Sequence, residues 1–226
     1  MPTAGSFHAI DASAVTYTPA TEGDWDGSSD PGNVDDALDE LAARVVDLET
    51  APGGGRHAIW VAAGSITPSA NGGCATLATV ATSANQPDLQ TLNFDSSTAE
   101  YAQFSIHMPK SWNEGTVTFA PVWSHPSTTT NFGVVWGLQA VGISNDDAIA
   151  TSYGTAQTST DTGGTTDDLY IGPESSAITV GGSPAAEDVV FFRVYRDPTA
   201  GSDTMAVDAR LHGITVYITT DSDTDA

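Results

Sequence analysis

A short heptad pattern near the N-terminus constrains this chain more than any other feature of its sequence. Apolar residues recur there at spacings of four, three, four and three, which is typical of the a and d positions of a coiled coil. They are Val34, Leu38, Leu41, Val45 and Leu48. A helix of about fifteen residues is marginal alone in water, because nucleation is costly. The pattern therefore predicts a helix that covers its apolar stripe by self-association.

The sequence marks both ends of this helix. Asn33 is a favourable N-cap, and the two aspartates that follow Val34 place negative charge in the first turn, where the helix dipole favours it. Beyond the heptads, a Pro-Gly-Gly-Gly run cannot continue a helix and supplies a flexible joint. We therefore expect a short helix over residues 33–50 and a Gly/Pro linker over residues 51–56.

Charged residues flank the seam. Arg44 falls at a g position and Glu49 at the following e position. In a parallel bundle these two would pair between chains, a contact worth only a few tenths of a kcal/mol at an exposed site. A competing interpretation is that the helix packs against its own C-terminal domain, as short amphipathic helices often do. Leu and Val at mixed a and d positions do not fix the number of chains.

The chain changes character at about residue 56, where Thr, Ser, Gly, Val and aromatic residues form short alternating runs between turn residues. This pattern predicts a mainly β fold. A jelly-roll-like β-sandwich over residues 57–220 suits the length, and an irregular sandwich of another topology is the alternative. Residues 221–226 are expected to form an acidic, disordered tail. The predicted strands are His57–Ala62, Ala75–Thr82, Tyr101–Met108, Thr116–Trp123, Val134–Ile143, Asp168–Ile171, Ala177–Val180, Val189–Tyr195 and Ala209–Thr219.

Two of these strands carry informative side-chain patterns. In the first, Ala102, Phe104, Ile106 and Met108 alternate with polar or aromatic neighbours and should face the core. In the last, over residues 209–219, both alternating sets contain apolar side chains. That arrangement indicates a strand in the centre of a sheet or at a subunit interface.

The charge balance limits the partners of this chain. Six Lys and Arg against 29 Asp and Glu give a formal net charge of −23. Nucleic acid and anionic membranes would be repelled by such a surface, so neither is expected as a partner. No apolar run approaches the roughly 20 residues that cross a bilayer, so membrane insertion is not expected. The first residues lack the basic and apolar regions of a secretory signal.

Metal and redox chemistry have little support. The single Cys74 excludes an intramolecular disulfide and is expected to be a buried spectator thiol. The histidines are scattered; His107 and His212 would be the first metal candidates, because symmetry could bring copies to an axis. Acidic loops at 145–147 and 161–168 lack the EF-hand spacing, which favours solvated turns over calcium sites. We therefore predict no metal and no cofactor.

Two tryptophans are candidates for ligand contact. Trp112 lies in a Pro-Lys-Ser-Trp-Asn-Glu-Gly segment, and Trp123 lies in a Pro-Val-Trp-Ser-His segment. Either indole could stack on a sugar ring, although closure of a sandwich end or burial in an oligomer interface is the favoured interpretation. Acidic pairs arise by chance in so acidic a chain, and GxSxG, P-loop and HExxH motifs do not occur. The sequence therefore predicts that the protein is not an enzyme.

Several short motifs in the chain are distinctive. The N-terminal part contains YTPA, then Asp24-Trp25, then VDDALDELAARV; later motifs are WVAA at residue 60, LNFD at 92, PKSWNEG at 109 and WGLQ at 136. The first group resembles the adaptor and short helix of tail-fibre and other virion proteins of tailed bacteriophages. The second group is similar to a phage-encoded structural domain family of marine and related tailed viruses.

The resemblance implies a homotrimeric virion component that is assembled in the host cytoplasm and catalyses no reaction. Residues 1–32 would then be an extended arm that docks on other virion proteins through Tyr17, Pro19 and Trp25. The helix would set the trimer, and the β-domain would project outward. A tail-fibre or baseplate location is expected first. The alternatives are a capsid head-fibre or decoration protein, and a receptor-recognition domain that binds host surface glycan.

Overall fold

A computed structural model describes residues 11–16, 33–50, 54–127 and 132–225 of the chain, and the side chains of the helix up to residue 46. The chain divides into two compact units, Met1–Gly53 and Gly54–Ala226. Within the described residues, no helix is both long and apolar enough to cross a membrane.

The N-terminal unit contains the predicted helix, α1, over Val34–Thr50. Asn33 caps it as expected, since the Asp36 backbone N–H donates to Asn33 Oδ1 at 2.9 Å. A 3₁₀ turn at Ala12–Ala14 precedes a bridge between Thr16 and Asn33. This part of the predicted arm is therefore folded back on the start of the helix rather than extended. The proposed docking residues Tyr17, Pro19 and Trp25 lie outside the described residues.

The C-terminal unit is a sandwich of two sheets in which every strand pair is antiparallel. The described strands are β1 (Arg56–Ala62), β2 (Thr67–Pro68), β3 (Ala78–Val80), β4 (Leu89–Phe94), β5 (Glu100–His107), β6 (Thr118–Ser124), β7 (Phe132–Ile143), β8 (Gln157–Gly163), β9 (Tyr170–Ile171), β10 (Val189–Arg196) and β11 (Ala209–Thr219). The first sheet has the order β3-β4-β11-β6-β9, with β1 also on β11, and the second has the order β2-β5-β10-β7-β8.

The inner faces of the two sheets share one hydrophobic core. Phe94 of the first sheet meets Trp136 of the second edge-to-face, with ring centroids 5.2 Å apart. On β5, Ala102 and Phe104 are buried in this core, and Ile106 packs against it, as the alternation predicts. The two-sheet β-sandwich is thereby confirmed, while the jelly-roll winding stays a prediction.

Several strands differ from the sequence-based expectation. Strand β4, the polar strand β8 and the short β2 were not expected. Conversely, the predicted strand Ala177–Val180 makes only an isolated bridge, from Ile178 to Val117. The tail also differs, because Asp225 Oδ1 accepts a hydrogen bond of 2.9 Å from the Ser111 backbone N–H. The acidic end therefore folds back on the domain up to residue 225 instead of forming a disordered tail.

The central strand of the first sheet, β11, contains a bulge. Leu211 pairs with Trp123 and Gly213 pairs with Val122, so His212 is an extra residue between them. The extra residue shifts the alternation, so that Leu211 and Ile214 both face the core although they are three residues apart. This shift explains why both alternating sets of the sequence contain apolar residues. The prediction of a central strand is confirmed, because β11 lies between β6 on one edge and β1 and β4 on the other.

A buried ion pair anchors the C-terminal end of β10. Arg196 Nη2 lies 2.8 Å from Asp203 Oδ1, and both side chains are almost completely buried. Arg196 also donates to the Val207 carbonyl at 2.7 Å, and Asp203 accepts from the Val135 backbone N–H at 3.0 Å. Because these partners satisfy the remaining donors and acceptors, the pair holds the 203–207 loop against β7 and β10.

Candidate functional site

The outer face of the first sheet carries a cleft of about 600 Å³. It forms because β1 and β4 share one edge of β11 end to end. β1 pairs with residues 213–219, whereas β4 pairs with residues 209–211. The chain leaves the sheet at the end of β1 through a 3₁₀ turn at Ala63–Ser65. The junction of the two strands, with the bulge beside it, leaves a recess that uninterrupted pairing would close.

Trp60 is the dominant side chain of this cleft. Alternation along β1 turns Val61 toward the core and Trp60 outward, and 51% of Trp60 is exposed. Its indole lies across Gly213 on the neighbouring strand, where an added Cβ would stand 2.4 Å from the ring atom Cη2. The absence of a side chain at Gly213 thus lets the indole lie against the sheet. An exposed aromatic surface is held here in a defined position.

His212, the bulge residue, lies beneath the cleft and is buried. Its Nε2 lies 2.8 Å from Ser124 Oγ, which fixes the plane of the ring. Burial lowers the pKa of His212, and the positive charge of Arg210 lowers it further, while a hydrogen bond with the Gln90 backbone works in the opposite direction. The imidazole is therefore kept neutral near physiological pH.

Polar side chains complete the wall formed by β3 and β4. Gln90 lies against Gly64, where an added Cβ would stand 2.5 Å from Gln90 Oε1. Asp88 accepts a hydrogen bond of 3.0 Å from the Thr82 backbone N–H, which anchors the carboxylate at the start of β4. Thr79 of β3 also lines the cleft. An amide, a carboxylate and a hydroxyl therefore surround one exposed indole.

The opposite wall is apolar. Val122 of β6 and Leu169, which precedes β9, line the cleft there, and 57% of Leu169 is exposed. In chemical terms the cleft offers an aromatic platform, an apolar rim and a few directional polar groups. Among the residues that the structure describes, no group of three or more His, Cys, Asp or Glu could hold a metal ion. Of the two histidines favoured for metal, only His212 lies here, since His107 ends β5 in the other sheet.

The tryptophans selected from the sequence are not at the surface. Trp112 is 2% exposed and Trp123 is fully buried. The Trp123 indole stacks on Tyr170, with centroids 4.7 Å apart, and its Nε1 donates to Asp161 Oδ2 at 2.9 Å. Both side chains therefore pack inside the sandwich and do not face a ligand, and their burial fits the favoured interpretation, closure of a sandwich end. The physical reason is that each lies on the inward side of its strand or loop, where large aromatic surface is removed from water.

The predicted seam of α1 is described in part. Leu38, Leu41 and Val45 are each between 44% and 56% exposed, and Val34 is half-buried. Arg44 is exposed, while the side chains of Leu48 and Glu49 lie outside the described residues. The helix thus presents an apolar stripe to solvent within one chain.

Sequence reasoning missed Trp60 as a site residue, although a signal for it exists. In the run Ile59-Trp60-Val61, period-two alternation places the indole on the face opposite Val61. The informative pattern is a Trp on the outward face of a strand whose indole reaches a glycine, Gly213, diagonally placed on the neighbouring strand. The glycine partner is 153 residues away and is known only from the strand register.

No protein-family model and no curated protein matches this chain. Among solved structures, it is similar to an arabinose-bound GH51 α-L-arabinofuranosidase, with 16% identity and a TM-score of 0.40 over 68% of this chain and 23% of that one. A CBM22-2 xylan-binding domain from Paenibacillus barcinonensis Xyn10C gives 11% identity and a TM-score of 0.39, covering 69% of this chain and 92% of that one.

A third similar structure is the C-terminal family 22 carbohydrate-binding module of Clostridium thermocellum Xyn10B. It shows 15% identity and a TM-score of 0.37 over 71% of this chain and 87% of the module. The match to the arabinofuranosidase spans about a quarter of that enzyme. TM-scores at this level assign neither a family nor a ligand to this chain.

Proposed function

We propose that the β-sandwich is a non-catalytic glycan-binding domain and that the Trp60 cleft is its binding site. The exposed indole of Trp60, which lies against Gly213, carries the proposal. A pyranose ring has apolar C–H faces and a rim of hydroxyls. It therefore matches a site that combines an aromatic platform with a few amide, carboxylate and hydroxyl groups.

The positions of the polar groups support this interpretation. The Gln90 amide can donate to and accept from sugar hydroxyls in the cleft, the Asp88 carboxylate can accept from them, and Thr79 adds a hydroxyl on the same wall. The cleft volume of about 600 Å³ admits a short stretch of saccharide rather than a single small ion. Because one carboxylate and a neutral imidazole do not form a glycosidase acid pair, binding without cleavage is the function that this geometry favours.

A glycan array with three proteins tests the proposal. Wild type should bind one or more polysaccharides, and Trp60→Ala should lose that signal because the platform is removed. Leu77→Ala is the matched control, since Leu77 is also an exposed large apolar residue but does not line the cleft. Equal binding by wild type and Trp60→Ala, with Leu77→Ala unchanged, would reject the cleft as the site.

We also propose that the chain is a homotrimeric structural component of a tailed-phage particle, with a tail-fibre or baseplate location preferred to a head fibre. The observation that supports self-association is the exposed stripe of Leu38, Leu41 and Val45 on α1. An uncovered stripe on so short a helix is stabilised most simply by the same stripe of other chains. The virion location rests on the sequence resemblance.

Native mass measurement of the full chain tests the assembly. Wild type should form a trimer, and Leu41→Ser should dissociate it, because a polar group in a two-heptad seam leaves little apolar contact. Asp39→Ser changes an exposed residue outside the seam and should leave the trimer intact. A wild-type monomer at every salt concentration would contradict the assembly without affecting the glycan proposal.

A further inference from the structure

The outer face of the second sheet contains an arginine whose charge is not matched by a carboxylate. Arg193 projects outward from β10, between the buried Phe192 and Val194. No carboxylate among the described residues lies within 4.0 Å of it, whereas Arg56, Arg196 and Arg210 each pair with one. Such a position is unusual in a chain with a net charge of −23.

Aromatic rings hold the Arg193 guanidinium in place. Its Cζ lies 4.6 Å from the ring centroid of Tyr101 and 5.0 Å from that of Tyr153. Its Nε is buried and has no hydrogen-bond partner among the described residues. The two rings restrain the guanidinium, whose Nη atoms donate to no described residue and can therefore pair with a ligand.

The strand register places a glutamine on each side of this arginine. Arg193 pairs with Gln103 on β5 and with Gln139 on β7, so three hydrogen-bonding side chains form a row across the sheet. Gln103 is oriented by its own hydrogen bond of 3.1 Å from Nε2 to Ser69 Oγ. Next to the row, Gln103, Tyr153 and Phe191 line a cleft of about 420 Å³. A ligand that has an apolar ring face and one negative group fits in this cleft, beside the row.

We infer that this face, the Arg193 face, binds the carboxylate of an acidic sugar residue of the hexuronate type. A planar carboxylate matches the guanidinium edge in a bidentate pair, and the adjacent Tyr153 ring suits the pyranose face. With 29 acidic residues in the chain, anions are disfavoured over most of its surface, so the oriented arginine selects a carboxylate at this one place. The inference concerns a site on the other sheet and does not depend on the Trp60 cleft.

Calorimetric titration with oligouronates tests the inference. Oligogalacturonate, oligomannuronate and a glucuronate-containing oligosaccharide are compared with their carboxyl-reduced, neutral forms in about 0.15 M salt, where long-range repulsion is screened. At least one oligouronate should bind wild type, and its reduced form should bind about tenfold more weakly because the charged pair is lost. Free galacturonate separates recognition of the carboxylate alone from recognition of the chain.

Matched variants locate the site. Arg193→Gln should weaken oligouronate binding about tenfold, and Arg193→Lys should fall between it and wild type because lysine keeps the charge but lacks the planar fork. Arg56→Gln removes the same charge from an exposed pair and should have no effect. Trp60→Ala should leave oligouronate binding unchanged, which separates this site from the proposed glycan cleft. Binding unaffected by Arg193→Gln, or wild type that binds none of the oligouronates, would overturn the inference.

Discussion

At the scale of single residues, the Trp60 platform depends on the glycine beneath it. A Cβ at position 213 would stand 2.4 Å from the indole and 2.5 Å from the Val61 carbonyl oxygen, so ring and backbone must both shift. Gly213→Ala should therefore destabilise the fold by about 1–3 kcal/mol, the usual range for an overpacked position. Denaturant unfolding measures this loss.

Gly201→Ala is the matched control for that variant. An added Cβ at Gly201 meets nothing within 4 Å, and the backbone there is not in the left-handed region. Its stability should stay within about 0.5 kcal/mol of wild type, as for most surface changes. Equal effects of the two glycine substitutions would contradict the packing of the indole on Gly213.

Cys74 supplies a second prediction at this scale. Burial raises the pKa of the thiol to about 12, and the nearby negative charge of Glu100 adds to the effect. The native protein should therefore resist alkylation by iodoacetamide at pH 8, because almost none of the thiol is present as the nucleophilic thiolate. Labelling should become rapid in denaturant; rapid labelling of the native chain would contradict the buried position.

At the scale of elements, the bulge of β11 sets which residues reach the cleft. The extra residue turns His212 and Gly213 to the same outer face, although strict alternation would separate them. Sequence alternation correctly predicted the core side of β5, where the period of two is unbroken. It could not locate the bulge, because nothing local in Leu211-His212-Gly213 shows that the partner strand skips a residue.

The missed strands have a related cause. β8, Gln157–Gly163, is composed of Gln, Thr, Ser, Asp and Gly, and therefore has no apolar alternation to detect. It is held by backbone pairing with β7, which begins 25 residues earlier in the chain. Strands with strong side-chain patterns could be predicted from the sequence, whereas edge strands that depend on a neighbour's backbone could not.

The lowered pKa of His212 predicts how stability responds to pH. The unfolded chain takes up a proton as pH falls through about 6.5, whereas the buried ring of the folded state resists protonation. The contribution of His212 to stability is thus fully present above pH 6.5 and declines as pH falls from there toward the folded-state pKa. Unfolding measured at pH 7.5 and 5.5 should show this decline in wild type relative to His212→Gln, and parallel responses would contradict it.

At the scale of the whole molecule, the sandwich is stabilised by its hydrophobic core and by a buried ion pair rather than by a disulfide. Asp203→Asn should destabilise the β-domain by about 3–5 kcal/mol, because it leaves the fully buried Arg196 charge without its partner. Asp167→Asn is the matched control, since it removes the partner of Arg210 at a pair whose carboxylate side chain is 61% exposed, and it should cost about 0–1 kcal/mol. Similar shifts of the unfolding midpoint in both variants would argue against the structural role of the buried pair.

For the molecule as a whole, the sequence predicted the fold class but not the candidate site. Short alternating runs between turn residues were sufficient to predict a mainly β chain. The candidate site, however, joins Trp60, Gln90 and His212 from three separate strands, and only the register brings them together. Trp112 and Trp123 stood out because their neighbours are polar, yet burial depends on which side of the strand the indole occupies.

Glycan binding by the Trp60 cleft is tested most directly by calorimetry. The polysaccharide that gives the strongest array signal is titrated into wild type and into Trp60→Ala, after both have been shown to have the same thermal stability. We expect saturable binding to wild type and a loss of at least about tenfold in affinity, or ~1.4 kcal/mol, in the variant. The same affinity for both proteins would contradict this expectation.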